Sequence, residues 1–252
     1  MAFTQNNRKT YIYDGSFEGL LTIVFDSYLS KTLPFHIFSE ATYQMNILDT
    51  IEWIKTDYHK ADRIFHGIVK HISYNTLYQN YYAFLAEDTR KEMAIVQYLL
   101  NGFVVGPKIN TMLSLDYVFT VQSLRKRMLG ESHRLKGLLR FQEVSNHLYY
   151  ASIHPDNNVL ENLGQHFIKR LPTQNFLIHD KKRELCFIYD TQQYKILSSI
   201  DLTIPPITEE EAYYQQLWKT FFKTIAIPER KNPRLQMQYM PKKYWQDLIE
   251  KP

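Results

Sequence analysis

Apolar residues in the first half of the chain recur every three or four positions, which is the spacing of one face of an α-helix. Thr10 to Tyr13 reads as a short strand, and Ser16 is a typical N-cap for the helix that follows it. The segment from Lys31 to Glu40 is predicted to be a loop. From about Ile47 to Met128 the pattern predicts mostly helical structure.

The second half contains shorter apolar runs bounded by turn-forming residues, which is typical of strands. Four segments are predicted to be strands: Leu138–Val144, Leu148–Ile153, Phe176–His179 and Leu185–Tyr189. The first two are joined by a tight turn at Ser145 and Asn146. A helix is predicted between Pro155 and Pro172, so it crosses between the two strand pairs.

The C-terminal region contains the best-defined amphipathic helix of the sequence. Thr208 and Glu211 have the spacing of a capping box, which opens a helix. Its apolar face is formed by Tyr214, Leu217, Trp218, Phe221, Phe222 and Ile225. A stripe of this width normally faces a protein core. Trp218, Phe221 and Phe222 are therefore predicted to be buried.

These patterns together predict an α+β fold. Its N-terminal half would be mainly helical with one strand, and its second half would hold a small antiparallel sheet with a crossing helix. An aromatic helix would close the chain. The expected regions are residues 1–129, 130–200 and 201–252, which can also pack as one compact domain.

The positive charge of the chain is concentrated in its second half. The formal net charge is +4. From Met1 to Leu124 there are 10 Lys and Arg against 12 Asp and Glu, whereas from Arg125 to Pro252 there are 20 against 14. This excess is compatible with a surface that faces phosphates, although it is also common in proteins that never bind nucleic acid.

Cysteine usage and hydropathy limit the classes of function. Cys186 is the only cysteine, so the chain can form neither an internal disulfide nor a cysteine-ligated iron–sulfur cluster. No apolar run approaches the ~20 residues that span a bilayer, and the N-terminus lacks the apolar core of a signal peptide. A cytoplasmic protein without a membrane association is therefore expected.

Several stretches, in the same order along nearly the whole chain, resemble a bacterial family of DNA metabolism proteins that contains a domain of unknown function. They read YIYDGSFEGLLTIVFDSY, KADRIFHGI, ESHRLKGLLRF, YYASIHPDNNVL, QHFIKR, LIHDKKR and LWKTFFKTIAIPERKNPRLQMQYMPKKYW. Members of that family typically accompany a radical-SAM protein of DNA modification or repair, and some are fused to a uracil-DNA glycosylase domain.

The resemblance implies a partner that carries the demanding chemistry. The radical-SAM protein would hold the iron–sulfur cluster and S-adenosylmethionine, and this chain would hold no cofactor of its own. The expected function is a DNA-binding accessory protein in DNA repair or modification, with DNA and the radical-SAM protein as its partners.

Two groups of residues are candidates for nucleic-acid binding. The first surrounds the predicted sheet and consists of His133, Arg134, Lys136, Arg140, Arg170 and Arg183. The second, in the tail, consists of Arg230, Lys231, Arg234, Lys242 and Lys243. Arginine can bind phosphate bidentately, and cations interleaved with aromatic rings suit single-stranded nucleic acid. Exposed turns with structural ion pairs, and a C-terminal strap that packs its rings, are the alternative interpretations.

Three histidines form the remaining candidate chemistry. His154, His166 and His179 come from a strand end, a helix and another strand, and can converge on a metal or supply an acid or base. Their spacing matches no zinc pattern, and no metal site is predicted. Asp156 and Asp180 can orient a histidine, or can act as a cap and a turn.

Two other classes of function stay open from the sequence. The chain can itself be a glycosylase- or nuclease-like enzyme acting on damaged bases, with His166, His179 and Asp180 as candidate catalytic residues. It can also be a protein–protein adaptor whose basic tail docks an acidic partner. A pocket that joins the histidines with a carboxylate would favour the enzyme.

Overall fold

The computed structural model describes residues 4–5, 9–45, 50–145, 147–198 and 202–251. The chain divides into two compact units, residues 1–128 and 129–252. The boundary between them in the sequence falls within a long helix, α5 (Asp116–Leu138). The predicted further division at residue 200 stays a prediction.

The first unit contains parallel strands at its N-terminal end. The described strands are β1 (Thr4–Gln5), β2 (Lys9–Tyr13), β3 (Thr32–Leu33), β4 (His36–Ser39) and β5 (Thr50–Trp53). β1 pairs with β3, and the other three form a parallel sheet in the order β4-β2-β5. Strand β2 confirms the prediction at residues 10–13.

One prediction for this unit was wrong, and another missed a strand. The segment 31–40 holds β3 and β4 rather than a loop. β5 lies within the stretch predicted to be helical, and the predicted start of that stretch at Ile47 lies outside the described residues. The three missed strands are only two to four residues long, so they are too short to show a clear alternation of polar and apolar residues.

Helices supply most of the rest of the first unit. They are α1 (Phe17–Ser30), α2 (Tyr58–His71), α3 (Tyr74–Phe84), α4 (Lys91–Val105) and α5 (Asp116–Leu138), with a 3₁₀ helix at Gly106–Thr111. The predicted cap of α1 is confirmed, because the Ser16 hydroxyl accepts a hydrogen bond of 2.9 Å from the Gly19 amide. None of the helices in the described ranges is both long and apolar enough to cross a bilayer.

The second unit is built on a five-stranded mixed sheet. Its strands are β6 (Gln142–Ser145), β7 (Leu148–Ile153), β8 (Asn175–Asp180), β9 (Leu185–Tyr189) and β10 (Tyr194–Ser198), in the order β10-β9-β8-β7-β6. The mixed helix-and-strand class is confirmed.

The predicted sheet differs from the observed one in three details. β7 and β8 are parallel, because the crossing helix α6 (Leu160–Arg170) returns the chain to the same end of the sheet. The first strand was predicted to begin at Leu138, but α5 continues to that residue. β10 was not predicted. Asn146, in the predicted turn, lies outside the described residues.

Helix α6 packs closely on one face of this sheet. A side-chain carbon at Gly164 would overlap the buried ring of Phe187 on β9. Nearby, Phe141 meets Phe167 of α6 and Phe176 of β8 at ring separations of 5.1 and 5.4 Å. Because side chains alternate along a strand, the residues next to Phe176 on β8 and next to Phe187 on β9 point to the opposite face of the sheet.

The C-terminal segment consists of α7 (Glu209–Thr224), a 3₁₀ turn (Pro228–Arg230), α8 (Pro233–Tyr239) and a last 3₁₀ helix (Lys242–Asp247). The Thr208 cap is confirmed by its hydrogen bond from the Glu211 amide. The predicted burial of the α7 stripe was wrong: Trp218 is 39% exposed and Phe221 52% exposed, while Phe222 is partly buried.

Candidate nucleic-acid interface

Helices α5 and α6 lie side by side and end together. The Ser132 hydroxyl of α5 donates a hydrogen bond of 2.5 Å to the Asn162 side chain of α6. One turn later on each helix, the charge of Lys136 acts on the ring of His166. The two helices therefore run in the same direction, and their carboxyl ends lie close to each other.

Four cationic or titratable side chains gather at these helix ends: Lys136, His166, Lys169 and Arg170, called the cationic patch below. Burial lowers the pKa of His166, and the charges of Lys136, Arg170 and Lys169 lower it further. Within the described ranges, none of these four side chains forms an ion pair. The negative ends of two helix dipoles offset part of this repulsion, but the patch keeps its positive charge.

Three of the predicted phosphate-binding residues are instead balanced by carboxylates of the same unit. Arg140 binds Glu250 at 2.7 Å. Arg183 binds Asp180 at 3.1 Å and also donates to the carbonyl oxygens of Pro155 and Asp156. Lys243 forms ion pairs with Glu131 and Asp156. These contacts match the alternative interpretation of structural ion pairs.

Glu131 is the centre of a buried polar network in this unit. Its side chain is 1% exposed. It accepts hydrogen bonds from the Asp156 amide, from the amide and side chain of Asn157, from the Lys243 ammonium and from the Tyr244 hydroxyl. Burial alone would raise the pKa of Glu131, but these donors outweigh it and lower the pKa to about 2. The network fixes the β7–α6 loop and the C-terminal segment to α5.

The other predicted nucleic-acid-binding residues are exposed. His133 and Arg134 lie on α5 rather than beside a strand. The exposed cations of the C-terminal segment are Arg230, Lys231, Arg234 and Lys242. None of these six residues makes an ion pair within the described part of the chain. They can extend a positively charged surface, but no described contact joins them to the cationic patch.

The three candidate histidines do not converge. His166 belongs to α6 and to the cationic patch. His154 and His179 lie at the other face of the sheet, close enough that a proton on His154 would disfavour a proton on His179. In the described ranges no three His, Cys, Asp or Glu side chains are grouped to hold a metal ion.

Asp180, the carboxylate predicted to assist catalysis, is fully buried in the β8–β9 turn. Its Oδ1 accepts hydrogen bonds from the amides of Lys182 and Arg183, and its Oδ2 accepts one from the Arg183 guanidinium. This matches the turn interpretation of Asp180. The carboxylate that meets a candidate histidine is Asp247, whose Oδ1 lies 3.0 Å from Nδ1 of His154.

The exposed stripe of α7 forms a separate surface. It consists of Tyr214, Leu217, Trp218, Phe221 and Ile225, all of which are exposed, and it is called the α7 stripe below. The helix borders an open depression of about 490 Å³. Arg140 and Trp218 both line this depression, and the Arg140 guanidinium lies 5.9 Å from the centre of the Trp218 ring. Exposed apolar residues that are contiguous are typical of interaction sites.

Sequence reasoning did not find three of the residues in these sites. Lys169 is part of the cationic patch, and its i, i+3 spacing from His166 could have indicated it. Glu131 and Asp247 gave no such signal, because their partners lie as far as 113 and 95 residues away in the chain.

One family model matches the sequence of this chain. The model, described as a domain of unknown function (DUF4130), matches residues 89–250, which is more than half of the chain. The chain therefore belongs to the DUF4130 family. No curated protein is significantly similar to it in sequence.

Among solved structures, the chain is similar to a pGpG-specific phosphodiesterase, PggH from Vibrio cholerae. The two share 11% sequence identity with a TM-score of 0.32, over 87% of this chain and 99% of the other. This likeness is too distant to support an inference about fold or activity.

Proposed function

We propose that this chain is a DNA-binding accessory protein that contacts nucleic-acid phosphates through the cationic patch. The observation that carries the proposal is the gathering of Lys136, Lys169 and Arg170 around His166 without any described carboxylate partner. Folding brings these like charges together at an electrostatic cost. A polyanion that binds there removes the cost and releases its condensed counterions.

The charge of the whole chain does not explain this arrangement. Arg140, Arg183 and Lys243 lie in the same unit, and each of them is neutralised by a carboxylate. The patch differs from them in having no such partner among the described residues. The proposal therefore depends on the local grouping and not on the net charge of +4.

The test is a salt titration of binding to a fluorescein-labelled single-stranded oligonucleotide and to its duplex. Lys136→Ala/Lys169→Ala should weaken binding on the order of 10-fold near 0.1 M salt. It should also reduce the slope of log K against log salt by about 1.4 for the single strand, because two phosphate contacts are lost.

Lys219→Ala/Lys223→Ala is the matched control, since it removes two lysines from exposed positions of α7 and changes the net charge equally. It should keep the affinity within about 2-fold. Equal weakening by both variants would mean that only the net charge attracts the oligonucleotide, and the patch would then have no special role.

We further propose that the α7 stripe docks the radical-SAM protein that the family resemblance implies. The stripe is exposed in this chain, and its aromatic and aliphatic residues are of the kind that form the buried centre of protein interfaces. The cofactor chemistry, with its iron–sulfur cluster and S-adenosylmethionine, would then belong to the partner and the DNA contact to this chain.

Co-purification of the two proteins tests this part of the proposal. Phe221→Asp places a charge in the stripe and should reduce recovery of the partner at least 10-fold. Thr220→Asp, at an exposed position on another face of α7, should leave recovery unchanged. If Phe221→Asp retains the partner as well as the wild type does, the stripe is not the docking surface.

A further inference from the structure

The face of the five-stranded sheet opposite α6 carries a row of polar side chains. Tyr150 and Ser152 are two positions apart on β7 and therefore share this face, and His154 continues the row one residue beyond the strand. On β8, His179 lies in register with Ser152. The last 3₁₀ helix ends at Asp247, which reaches this row.

Asp247 and His154 form a carboxylate–imidazole pair. Nδ1 of His154 lies 3.0 Å from Oδ1 and 3.1 Å from Oδ2 of Asp247. The Ser152 hydroxyl donates a further hydrogen bond of 2.9 Å to Oδ1. An ionised carboxylate holds the proton of the neutral ring on Nδ1, so the lone pair is on Nε2. Nε2 forms no hydrogen bond with a described residue.

The exposure of the two side chains separates this pair from a simple structural contact. The carboxylate of Asp247 is 7% exposed, whereas the His154 side chain is 36% exposed. A buried carboxylate behind a solvent-accessible ring is the arrangement that orients a catalytic imidazole and stabilises its protonated form. His147 and Glu143 also form a carboxylate–imidazole pair, but it lies at the surface, because the imidazole of His147 is almost fully exposed.

Two neighbours complete the site. The backbone amide of Lys181 donates to the carbonyl oxygen of Ile153, which places this exposed lysine beside His154. No described carboxylate pairs with its ammonium. Burial lowers the pKa of His179 to about 4, with further contributions from the charge of Lys181 and from the protonated form of His154. His179 therefore stays neutral near pH 7, and its Nδ1 lies 3.0 Å from the Tyr150 hydroxyl.

We propose that His154, oriented by Asp247, is the general base of a hydrolytic site for phosphodiesters, in which Lys181 faces the negative phosphate. Nε2 of His154 takes a proton from a water molecule, and the water oxygen forms a bond to phosphorus. The bond from phosphorus to the departing oxygen breaks, and that oxygen receives the proton held by His154. One water is consumed, one alcohol and one phosphomonoester are released, and His154 returns to its neutral form.

The choice of a nucleic-acid strand as the natural substrate rests on the proposed function, whereas the pair of His154 and Asp247 does not. Two probes are therefore needed. Bis(4-nitrophenyl) phosphate is a small diester that requires no extended binding surface. A fluorescein-labelled single-stranded oligodeoxynucleotide reports binding and cleavage together.

The full chain is expected to hydrolyse both probes, and His154→Gln should reduce the rate at least 100-fold. His147→Gln is the matched control, since it removes a histidine that also contacts a carboxylate, and it should keep the wild-type rate. His154→Ala should regain activity when imidazole is added, which a purely structural loss would not allow. Thermal unfolding followed by circular dichroism checks that each variant is folded.

The outcomes distinguish this inference from the proposed function. Hydrolysis of the small diester without oligonucleotide binding would support the site and overturn the nucleic-acid proposal. Oligonucleotide binding by a wild-type protein that cleaves neither probe would overturn the site alone. Equal rates in the wild type and His154→Gln would also overturn it, as would the failure of imidazole to restore the rate of a folded His154→Ala protein.

Discussion

Replacing Glu131 by glutamine is expected to lower the free energy of unfolding by about 3 to 5 kcal/mol. The buried carboxylate accepts hydrogen bonds from five donors on Asp156, Asn157, Lys243 and Tyr244. The side-chain amide of glutamine keeps one accepting oxygen, but its NH2 group would face N–H and O–H groups that also donate. Lys243 also loses a carboxylate partner, so several buried groups become unsatisfied at once.

Urea-induced unfolding, followed by tryptophan fluorescence, measures this change. Glu210→Gln is the control, because Glu210 is exposed in the first turn of α7. It should change the unfolding free energy by no more than about 0.5 kcal/mol. A loss below about 1 kcal/mol for Glu131→Gln would mean that the network does not hold the C-terminal segment in place.

The same substitution has a pH signature whose sign follows from the lowered pKa. Glu131 has a pKa of about 2 in the folded chain and about 4.5 in the unfolded one. Its stabilisation is therefore fully present above pH 4.5 and is lost as the pH falls towards 2. At 1.36 kcal/mol for each pKa unit, the difference between wild type and Glu131→Gln should shrink by about 3 kcal/mol between pH 5 and pH 2.

Gly164→Ala is expected to destabilise the second unit by about 3 kcal/mol. A side-chain carbon at Gly164 would overlap the ring of Phe187, which is fully buried. This ring is also stacked between Phe176 and Tyr194, at ring separations of 6.1 and 4.8 Å. It cannot move aside without disturbing both neighbours, so α6 must shift away from the sheet.

Gly137→Ala provides the matched comparison, because the same methyl group added to α5 there would meet nothing within 4 Å apart from the adjacent residues and backbone of its own helix. Alanine favours a helix over glycine, so this variant should be as stable as the wild type or more stable by up to about 1 kcal/mol. Thermal or urea unfolding compares the two. If both variants had the same stability, close packing of α6 on Phe187 would not be what fixes this helix.

The sequence predicted the parts of the fold that depend on local signals. The caps at Ser16 and Thr208 mark the starts of α1 and α7, because each hydroxyl satisfies a free backbone amide of its own helix. The crossing helix was found between Pro155 and Pro172 because proline cannot continue a helix or a central strand.

Features that depend on distant partners were not predicted. The stripe of α7 is amphipathic, but a sequence pattern does not tell whether the same chain covers the apolar face. Trp218 and Phe221 were therefore assigned to the core although they are exposed. The first strand of the second unit was begun too early because α5 has no proline or capping signal before Leu138.

The candidate sites were predicted in part. Lys136, His166 and Arg170 were singled out by charge and by helical spacing, and folding brings them together. Arg183 and Lys243 were singled out by the same charge argument, but each forms an ion pair with a buried carboxylate. Charge alone cannot separate these two cases, since the difference lies in whether a carboxylate from elsewhere in the chain reaches the cation.

The most direct test of nucleic-acid binding at the cationic patch is site-specific photo-crosslinking. Cys186 is buried and is the only cysteine, so Thr173→Cys, three residues beyond Arg170, creates one reactive thiol for a photo-crosslinker. The account predicts an adduct with a bound oligonucleotide that disappears as salt is raised, and little adduct when the crosslinker is at Thr220→Cys on α7. Adducts of equal yield at both positions, or none at residue 173 under conditions where the oligonucleotide is bound, would contradict it.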